Sequence, residues 1–408
     1  MALSVAICGA GPAGLALALL LKRADHDVVL AERFDTPRPV GSGLMIQPTG
    51  LAAMRALGLE TELRAHGRVI ERMFGRECGR GRVVLDVRYA ALPGAQAVAV
   101  HRSALFGVLH QAVLGEGVPI ETGFDVAALE RDGAGRPSLR ARDGRTLGPF
   151  DLVVDASGSR SPLAALFGPP KRLELPFGAL WATLPWPHGG PFSLDALEQR
   201  YRRADVMIGV LPVGRRWGEA DEVATFFWSL KPAEYGAWRA RGLDAWKAEA
   251  RALWPEAEPL LERIASPDDL VLARYGHHTL ARPAGERLAA IGDAAHSTSP
   301  QLGQGANMAL LDAVALADAL ERHANLEAAL NAYARARRLH VKLYQSLSCL
   351  LTPFYQSDDR ILPMVRDRLL GPVSKLPYVP RLLAAMVSGL LLDPPRRLSA
   401  AGRRLCDL

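Results

Sequence analysis

The fold of this chain is decided by R-L-A-A-I-G-D-A-A-H-S-T-S-P-Q-L-G-Q-G-A-N-M-A-L-L-D-A-V-A-L-A-D-A-L, residues 287–320. The apolar run Leu288–Ile291 predicts a short buried strand, which ends in a glycine followed by Asp293. Gly303 and Gly305 then open a helix whose alanine and leucine residues recur at i, i+3 and i+4. Such a glycine loop lets backbone N–H groups approach a flat ring, and the positive end of the helix favours negative charge there. The segment therefore predicts a strand, an acidic turn and a binding loop for a planar, electron-rich group.

A second glycine turn lies near the start of the sequence. The apolar run 3–8 leads directly into G-A-G-P-A-G, residues 9–14, and an alanine-rich and leucine-rich helix follows. The three glycines supply a tight turn, a close approach of backbone to pyrophosphate, and close packing of helix on strand. The next strand, 28–31, ends in Glu32, whose carboxylate is placed to accept ribose hydroxyls. This order of elements predicts dinucleotide binding.

Three further motifs extend the pattern: G-S-G-L-M-I-Q-P-T-G-L at 41–51, A-L-G-L at 56–59 and V-H-R-S-A-L at 100–105. Together with the two glycine segments they resemble the class A FAD-dependent monooxygenases of the p-hydroxybenzoate hydroxylase fold. The resemblance runs over most of residues 1–340. It implies an α/β protein with a Rossmann-like FAD-binding domain, an inserted and mostly antiparallel β-sheet substrate domain, and a C-terminal helical segment. The domain boundaries that we expect are 1–171 and 281–340 for the two parts of the FAD-binding domain, 172–280 for the substrate sheet and 341–408 for the helical segment.

The resemblance also implies a set of cofactor contacts. An arginine and a glycine-rich loop line the flavin and its pyrophosphate in this family, an aspartate binds the ribityl chain, and a proline-to-glycine loop lies beside the isoalloxazine ring. The residues expected to contact FAD are Gly9, Gly11, Pro12, Ala13, Gly14, Glu32, Arg33, Gly43, Arg102, Asp155, Gly158, Gly292, Asp293, Pro300, Gly303, Gln304, Gly305, Ala306 and Asn307.

The activity that the resemblance implies is a hydroxylation. FAD reduced by NADH or NADPH reacts with dioxygen to give a flavin hydroperoxide, which transfers oxygen to an aromatic or polyketide-like small molecule of low polarity. The protein positions the substrate, excludes water and stabilises the anionic flavin. We therefore expect an oxidoreductase of secondary metabolism whose chemistry centres on the flavin.

One family motif is altered. The segment D-A-S-G, residues 155–158, carries Ser157 where the family usually has aspartate, and this bears on nicotinamide use. Flavin oxidases or dehydrogenases, isoprenoid-type reductases and halogenases of the same fold stay open as alternatives, as does a sensor or scaffold with structural FAD. A strand-end turn capped by Asp155 is another interpretation of the motif. Halogenases depend on a lysine after the glycine fingerprint, and no lysine occurs between Lys22 and Lys171.

The segment 172–280 changes to short β-like runs at 179–183, 206–211 and 223–230. Alternate residues of a strand point the same way. We expect four side chains to wall an apolar substrate cavity, with packing of the sheet against helices as the alternative for each. They are Trp181, Met207, Phe226 and Trp228.

No catalytic side chain is identified by a motif. His277 and His278, before the last flavin segment, and Tyr275 are the candidates for protonating or deprotonating a substrate, and hydrogen-bonded structural histidines are the alternative. The stretch 236–264 has a helical texture, with tryptophans every eight residues. Its tryptophan stripe is typical of a core.

Composition limits the remaining choices. With 49% hydrophobic and 23% charged residues, the 408-residue chain can bury sizeable cores. The net charge of +6 is spread over arginine-rich turns without a nucleic-acid module, so no nucleic-acid partner is expected. The four cysteines lack metal-site spacing, which predicts structural thiols and no metal. The first dozen residues form the glycine fingerprint instead of a leader, which predicts a cytoplasmic protein. The oligomeric state stays open.

The C-terminal segment begins as a helix that we expect to break at Thr352-Pro353. The stretch 381–392 is apolar and flanked by Arg381, Arg396, Arg397, Arg403 and Arg404. About 20 apolar residues are needed to span a bilayer, so this stretch is too short. Residues 381–404 predict either a helix on the body of the enzyme, a cover for the substrate mouth, or a weak peripheral contact with a membrane surface.

Overall fold

The structure, a computed structural model, describes residues 2–36, 41–168, 171–374 and 376–392. The arginines at 396, 397, 403 and 404, which flank the apolar stretch 381–392, and Cys406 lie outside these residues. None of the helices formed by the described ranges combines the length and apolar character needed to cross a membrane.

The described residues form strands β1 Ser4–Cys8, β2 Asp27–Ala31, β3 Gly43–Ile46, β4 Arg68–Ile70, β5 Arg72–Glu77, β6 Val83–Arg88, β7 Ala97–His101, β8 Ile120–Glu121, β9 Val126–Arg131, β10 Pro137–Ala141, β11 Thr146–Leu147, β12 Leu152–Asp155, β13 Lys171–Glu174, β14 Gly178–Pro185, β15 Ala196–Arg202, β16 Val206–Arg215, β17 Glu222–Leu230, β18 Val271–Ala273, β19 Gly276–Thr279, β20 Ala284–Gly285, β21 Leu288–Ala290 and β22 His296–Ser297.

The helices are α1 Pro12–Lys22, α2 Pro48–Ala56, α3 Glu60–His66, α4 Arg102–Gly115, α5 Tyr235–Arg241, α6 Leu243–Leu253, α7 Glu258–Leu261, α8 Gly305–Arg322, α9 Leu326–Tyr355, α10 Leu362–Val365, α11 Gly371–Val373 and α12 Val379–Ser388. A π-helical turn, Arg366–Leu370, joins α10 to α11.

The first sheet has the order β20-β21-β12-β1-β2-β8. Its strands are parallel except for β20, which pairs antiparallel with β21. The central strand β1 is apolar and almost wholly buried, as a strand covered on both faces must be. Helices α1 and α8 share one hydrophobic core with this sheet. Because the carboxyl ends of parallel strands meet at one edge, the residues after β1, β2, β12 and β21 converge there.

A second, larger sheet has the order β18-β14-β17-β16-β15-β5-β6 and is antiparallel except where β15 pairs with β5. One face packs on helices α5, α6 and α7 through a cluster that includes Trp228 and Trp246. The other face carries Met73, Met207 and Phe227 in a different core cluster, which also includes residues of α12. The predicted strands 179–183, 206–211 and 223–230 are thus confirmed, each as part of a longer strand.

Smaller three-stranded sheets connect these two layers. Strands β3, β7 and β4 form one, β9, β10 and β11 form another, and β13, β19 and β22 form a third. In the third, β19 pairs with β13, which precedes β14 of the large sheet, and with β22, which follows β21 of the first sheet. This small sheet therefore joins the chain that leads into β14 to the chain that follows β21.

The helical texture predicted for 236–264 is confirmed and is divided among three helices, because Gly242, with φ of 87°, ends α5, and Pro255 follows the end of α6. Trp238, Trp246 and Trp254 are nevertheless buried in one core cluster, as their stripe predicted.

The predicted break at Pro353 is wrong, since α9 continues to Tyr355 with Pro353 inside it. Side-chain hydroxyls add hydrogen bonds around the proline. Thr352 Oγ1 donates to the carbonyl of Ser348 at 2.6 Å, and Ser357 Oγ donates to that of Pro353 at 2.6 Å. These bonds and the packing of α9 offset the loss of the proline N–H.

Candidate functional site

The turn after β1 is held by contacts that only glycine permits. A Cβ atom on Gly14 would lie 2.0 Å from the carbonyl oxygen of Gly9, and one on Gly9 would lie 2.7 Å from the carbonyl oxygen of Ala156. Gly9 also has a φ of 101°. A Cβ on Gly11 would meet nothing within 4 Å, because this residue faces open space at the N-terminus of α1. Gly9 and Gly14 close the turn, and Gly11 leaves room beside the helix terminus for an anionic group.

Glu32 stands at the end of β2 beside this turn and is 8% exposed. Its Oε2 accepts the backbone N–H of Ala10 at 2.8 Å, and its Oε1 accepts that of Phe34 at 3.1 Å. A carboxylate offers about four acceptor positions. Glu32 therefore fixes the glycine turn and keeps acceptor capacity for ligand hydroxyls.

Asp293 follows β21 and faces the same edge of the sheet. Its carboxylate makes no hydrogen bond with any residue in the described ranges and is accessible from the cavity there. Surrounding protein raises the pKa of Asp293 by burial, and the charge of Arg102 opposes this shift. Arg102 lies at the first turn of α4 and also lines the cavity. The pair offers an acceptor and a cation to one bound molecule.

The loop before α8 brings Gly303 and Gly305 to the cavity. Gly303 has a φ of 60°, and Gly305 begins α8 with open space where a Cβ would be. Two polar side chains hold this loop from behind. Asn307 accepts the N–H of Gln47 at 2.8 Å and donates to the carbonyls of Met45 and Gly303, while Gln304 donates to the carbonyl of Val387 at 2.6 Å. The backbone is thus presented to the cavity while the side chains face the protein.

One continuous cavity of about 1960 Å³ joins these features. Ligand pockets measure roughly 300–1,000 Å³, so this space exceeds the needs of one ordinary ligand. The predicted cofactor residues on its wall are Gly9, Gly11, Pro12, Ala13, Glu32, Arg33, Gly43, Arg102, Gly158, Asp293, Pro300, Gly303, Gly305 and Ala306.

The other predicted cofactor residues do not lie on the wall. They are Gly14, Asp155, Gly292, Gln304 and Asn307. Their side chains or glycine Cα atoms support the residues that do line it, and contact of these five residues with FAD stays a prediction.

Asp155 is one of these supporting residues. Its carboxylate is fully buried and accepts the hydroxyls of Ser157 at 2.6 Å and Ser161 at 2.5 Å, together with the N–H of Ser157. Burial raises the pKa of Asp155, and the hydroxyl hydrogen bonds oppose that shift. The altered D-A-S-G motif is therefore a strand-end turn organised around its own aspartate. Ser157 and Gly158, by contrast, reach the cavity wall.

Two of the four predicted substrate residues are on the wrong face of the sheet. Phe226 and Trp228 pack against Trp246 in the core between the sheet and its helices. Their neighbour Phe227 lines the cavity instead. Trp181 and Met207 do line it, and the ring of Trp181 lies 4.9 Å from that of Phe227.

The candidate proton-transfer residues lie beside the cavity, but the two histidines do not present a base to it. His278 Nε2 donates to the carbonyl of Ala294 at 3.0 Å, and His277 Nδ1 lies 3.3 Å from the amide oxygen of Gln345. Their remaining nitrogens are sealed from solvent. Burial lowers the pKa of both rings, so they are uncharged at neutral pH.

Tyr275 behaves differently. Its hydroxyl accepts the indole N–H of Trp181 at 2.6 Å, and its own proton has no acceptor among the residues described. Burial raises its pKa, so the hydroxyl stays protonated. Tyr275 is therefore a hydrogen-bond donor on the cavity wall.

Sequence reasoning missed the residues that close the far end of the cavity. Leu197 and Tyr201 of β15, Tyr355 of α9, and Leu383 and Met386 of α12 line it there. No motif marks them, because apolar side chains that face a cavity have the same pattern as those that face a core.

Comparison with known proteins decides the family. A family model described as FAD binding domain matches residues 2–179 and 221–346. The chain belongs to this family of FAD-dependent monooxygenases. It is 28% identical over 393 residues to the aurachin C monooxygenase/isomerase of Stigmatella aurantiaca, covering 91% of this chain and 94% of that protein. It is 30% identical over 398 residues to the 6-methylpretetramide 4-monooxygenase of Streptomyces rimosus, covering 94% and 92%.

The fold of this monooxygenase is also shared with solved structures. The tetrameric form of 2-methyl-3-hydroxypyridine-5-carboxylic acid oxygenase aligns with a TM-score of 0.77 at 21% identity, covering 93% of this chain and 98% of that one. The α/β fold with an inserted antiparallel sheet and C-terminal helices is thereby confirmed.

FAD is the cofactor that the family implies, and the wall of the cavity fits it. Gly11 and Gly305 leave open space at two helix N-termini, and Asp293 offers an uncommitted carboxylate between them in the lining. Phosphates suit the first helix terminus, and an electron-rich ring suits the second.

Proposed function

We propose that this monooxygenase hydroxylates an aromatic or polyketide-like small molecule of low polarity, with NADH or NADPH as reductant. The observation that carries the proposal is the single cavity that runs from the glycine turn and Asp293 to an aromatic wall of Trp181, Phe227 and Tyr275. A cofactor and a second, flat molecule can occupy such a space together. FAD, when bound, supplies the redox chemistry and the activation of dioxygen.

The residues of the cofactor end would hold FAD at three of its parts, which are the pyrophosphate, the ribityl chain and the ring. Gly9, Gly11 and the start of α1 accommodate the pyrophosphate, with Arg102 as the nearby cation. Asp293 accepts hydroxyls of the ribityl chain. The Gly303–Gly305 backbone and the N-terminus of α8 stabilise negative charge on the ring.

The substrate end supplies orientation. Trp181 and Phe227 present ring surfaces, against which an aromatic substrate stacks with favourable offset or edge contacts. Tyr275, whose hydroxyl is held by the Trp181 indole, donates a hydrogen bond to an oxygen of the substrate. These groups hold a ring and exclude water without carrying charge themselves.

The lip of the cavity favours an anionic reductant. Arg160, Arg172 and Arg274 line it, and none of them is paired with a carboxylate within the part of the chain that the structure describes. Arginine recognises phosphate oxygens through paired N–H groups. This supports NADH or NADPH as the electron donor, although Ser157 replaces the aspartate usual in the family.

The names of the relatives agree with this substrate class. The proteins described above are named for acting on aurachin C and on 6-methylpretetramide. At 28% and 30% identity, the substrate of this chain is inferred from its cavity rather than transferred from either protein.

The proposal is tested with FAD-loaded protein under anaerobic NADH or NADPH, by following the flavin absorbance with and without phenols, quinolones and polyketide aromatics. We expect one aromatic class to accelerate bleaching, and ¹⁸O from labelled dioxygen to enter its product. Unlabelled oxidised product would establish an oxidase or dehydrogenase, and reduction of a double bond without oxygen uptake would establish a reductase. Flavin that stays oxidised with every donor and aromatic would overturn the proposal.

A pair of variants separates substrate positioning from general damage. Tyr275→Phe removes the donor on the wall, and we expect a roughly tenfold higher KM because one hydrogen bond is lost. Tyr235→Phe is the control, because Tyr235 stacks on Trp238 away from the cavity. Equal effects of the two variants would rule out Tyr275 as a substrate contact.

A further inference from the structure

The far end of the cavity lies between the large sheet and the C-terminal helices. We call it the C-terminal pocket and define it by lining residues of strands β5, β15 and β16 and of helices α9 and α12. They are Met73, Leu197, Tyr201, Met207, Tyr355, Leu383 and Met386. It is continuous with the space beside the aromatic wall, so a molecule held there by its ring can extend into it.

The wall of this pocket is uncharged. Gln199, a polar residue beside it, is already engaged, since its amide oxygen accepts the Tyr201 hydroxyl at 2.8 Å and its amide nitrogen lies 3.4 Å from Met207 Sδ. Asp86 on β6 also lines the cavity, but Arg72 binds both of its carboxylate oxygens at 2.7 and 2.8 Å. No cation in the described lining of the C-terminal pocket is therefore free to receive a carboxylate, and burying an unpaired one is costly.

A buried cation does lie behind the pocket, but its charge is paired with a carboxylate. The guanidinium of Arg366 is 0% exposed and donates to Asp367 at 2.7 Å and to the carbonyls of Phe354 and Arg203 at 2.9 Å each. It lies over the outer faces of the Tyr201 and Tyr355 rings. These contacts fix two aromatic walls of the pocket and give each of the three guanidinium nitrogens a protein partner.

The shape of the wall suits a flexible chain. Three methionines, Met73, Met207 and Met386, face the pocket, and methionine side chains adapt to irregular or variable ligands. Leu383 and Met386 come from α12, whose Ala384 and Val387 anchor it in the core of the sheet face. The helix therefore has a fixed backbone and an adaptable inner surface.

We propose that the C-terminal pocket binds an uncharged, extended apolar tail of the substrate, so that the enzyme acts on ring compounds with a long alkyl-type chain and discriminates against chains that end in a carboxylate. This inference rests on the proposed hydroxylase function, because it assigns the second part of the same cavity. The ring lies against Trp181 and Phe227, and the chain replaces water along the methionines and leucines.

The test is equilibrium binding to the oxidised FAD-loaded enzyme, followed by the change in flavin absorbance without turnover. The probes are 4-alkylphenols of increasing chain length and 4-hydroxyphenyl alkanoic acids of matching length. Each buried methylene should strengthen binding about threefold to fourfold until the pocket is filled. The acids should bind at least ~100-fold more weakly than alkylphenols of equal length, because their charge would be buried unpaired. Affinity that is independent of chain length, or acids that bind as well as alkylphenols, would overturn the proposal.

A matched pair of variants locates the tail. Leu383→Trp fills the pocket from α12, whereas Leu382→Trp adds the same group to the outer side of the helix, where Leu382 is 58% exposed. In Leu383→Trp, we expect added methylenes to stop strengthening binding at a shorter chain length, with the affinity for phenol itself unchanged. In Leu382→Trp, we expect the affinity for every probe to equal that of the unaltered enzyme. Met386→Phe serves the same purpose if Leu383→Trp does not fold. An unchanged chain-length limit in a folded pocket variant would place the tail elsewhere.

Binding and oxygen insertion fail independently in these experiments. A chain-length series that binds as expected without ¹⁸O incorporation would overturn the proposed hydroxylation and leave the pocket assignment intact. Hydroxylation of short and long phenols that bind with equal affinities would overturn the pocket assignment and leave the proposed hydroxylation intact.

Discussion

Asp312 on α8 accepts the backbone N–H of Gly292 at 2.8 Å, which ties a buried helical carboxylate to the turn that presents Asp293. The same oxygen accepts His296 Nε2 at 2.7 Å, and the other accepts Arg337 Nε at 2.6 Å. None of these three side chains lines the cavity. The network therefore positions the cavity-facing aspartate from behind.

Asp312→Asn should destabilise the protein in a pH-dependent way. Burial alone would raise the pKa of Asp312, but His296 and Arg337 outweigh it and lower the pKa to about 2. A carboxyl with a lowered pKa in the folded state stabilises the fold above its unfolded pKa, near 3.9, and this stabilisation is lost as pH falls towards 2. The expected loss in Asp312→Asn is roughly 2 kcal/mol at pH 7, and it becomes smaller between pH 4 and pH 2.

Urea unfolding at several pH values measures this difference. Asp318→Asn is the control, because Asp318 pairs with Arg322 at the surface of the same helix, where such pairs contribute about 0.5 kcal/mol. A loss in Asp312→Asn that is constant down to pH 2 would show that the charge of Asp312 is not what stabilises the turn.

Gly14→Ala and Gly11→Ala should separate folding from cofactor binding. The added Cβ of Gly14→Ala would meet the Gly9 carbonyl at 2.0 Å, so the turn must move, at a cost of about 1–3 kcal/mol in the apoprotein. The Cβ of Gly11→Ala meets no protein atom within 4 Å. We expect it to leave apoprotein stability unchanged and to weaken FAD binding at least ~10-fold, as measured by unfolding and by titration with FAD. Unimpaired FAD binding in Gly11→Ala would mean that the pyrophosphate lies elsewhere.

Ser161→Ala should destabilise the protein at neutral pH and less so at low pH. The Ser161 hydroxyl donates to the fully buried carboxylate of Asp155 at 2.5 Å, and hydrogen bonds to charged groups contribute about 1.5–3 kcal/mol. Burial already raises the pKa of Asp155, and loss of the hydroxyl raises it further. The penalty is therefore largest where Asp155 is ionised and decreases as pH falls through its raised pKa.

Thermal unfolding of Ser161→Ala at pH 7 and pH 4 tests this sign. Ser193→Ala provides a control, because Ser193 donates to the exposed Asp195 far from this turn. A larger penalty for Ser161→Ala at pH 4 than at pH 7 would contradict the assignment of Asp155 as the buried acceptor.

Arg366→Met should detach the C-terminal helices. The change leaves Asp367 and the carbonyls of Phe354 and Arg203 without their donor, and removing one partner of a buried charged group costs about 3 kcal/mol. Arg368→Met, two residues away on the exposed side, should cost less than about 0.5 kcal/mol. Limited proteolysis between α9 and α12 should be faster in Arg366→Met alone. Equal proteolysis of the two variants would show that Arg366 does not hold this segment.

The cofactor end of the site could be predicted because its requirements are local. Gly9, Gly11 and Asp293 follow apolar strands directly, and a parallel sheet brings such strand ends to one edge. The spacing of these residues along the chain thus encodes their proximity in space. The role of Asp312 could not be predicted in this way, because a carboxylate within an alanine-rich helix has the pattern of an ordinary solvent-exposed position.

The substrate end could not be predicted from alternation. Strand β17 is buried on both faces, so Phe226, Phe227 and Trp228 have the same apolar character whichever way they point. Only the packing of α6 against one face distinguishes them. The residues of α12 that reach the cavity depend on the path of the chain after α9, for which the sequence contains no motif.

The order of strands in the first sheet has a consequence for biosynthesis. β1 and β12 occupy its centre early in the sequence, but their neighbour β21 and the loop before α8 follow only after the entire large sheet. During translation the growing chain must therefore keep an incomplete parallel sheet, with β12 exposed along one edge, until β21 has left the ribosome. Exposed edges of this kind recruit other strands. The interval between synthesis of β12 and synthesis of β21 is accordingly the period in which this edge of the nascent sheet has no partner strand.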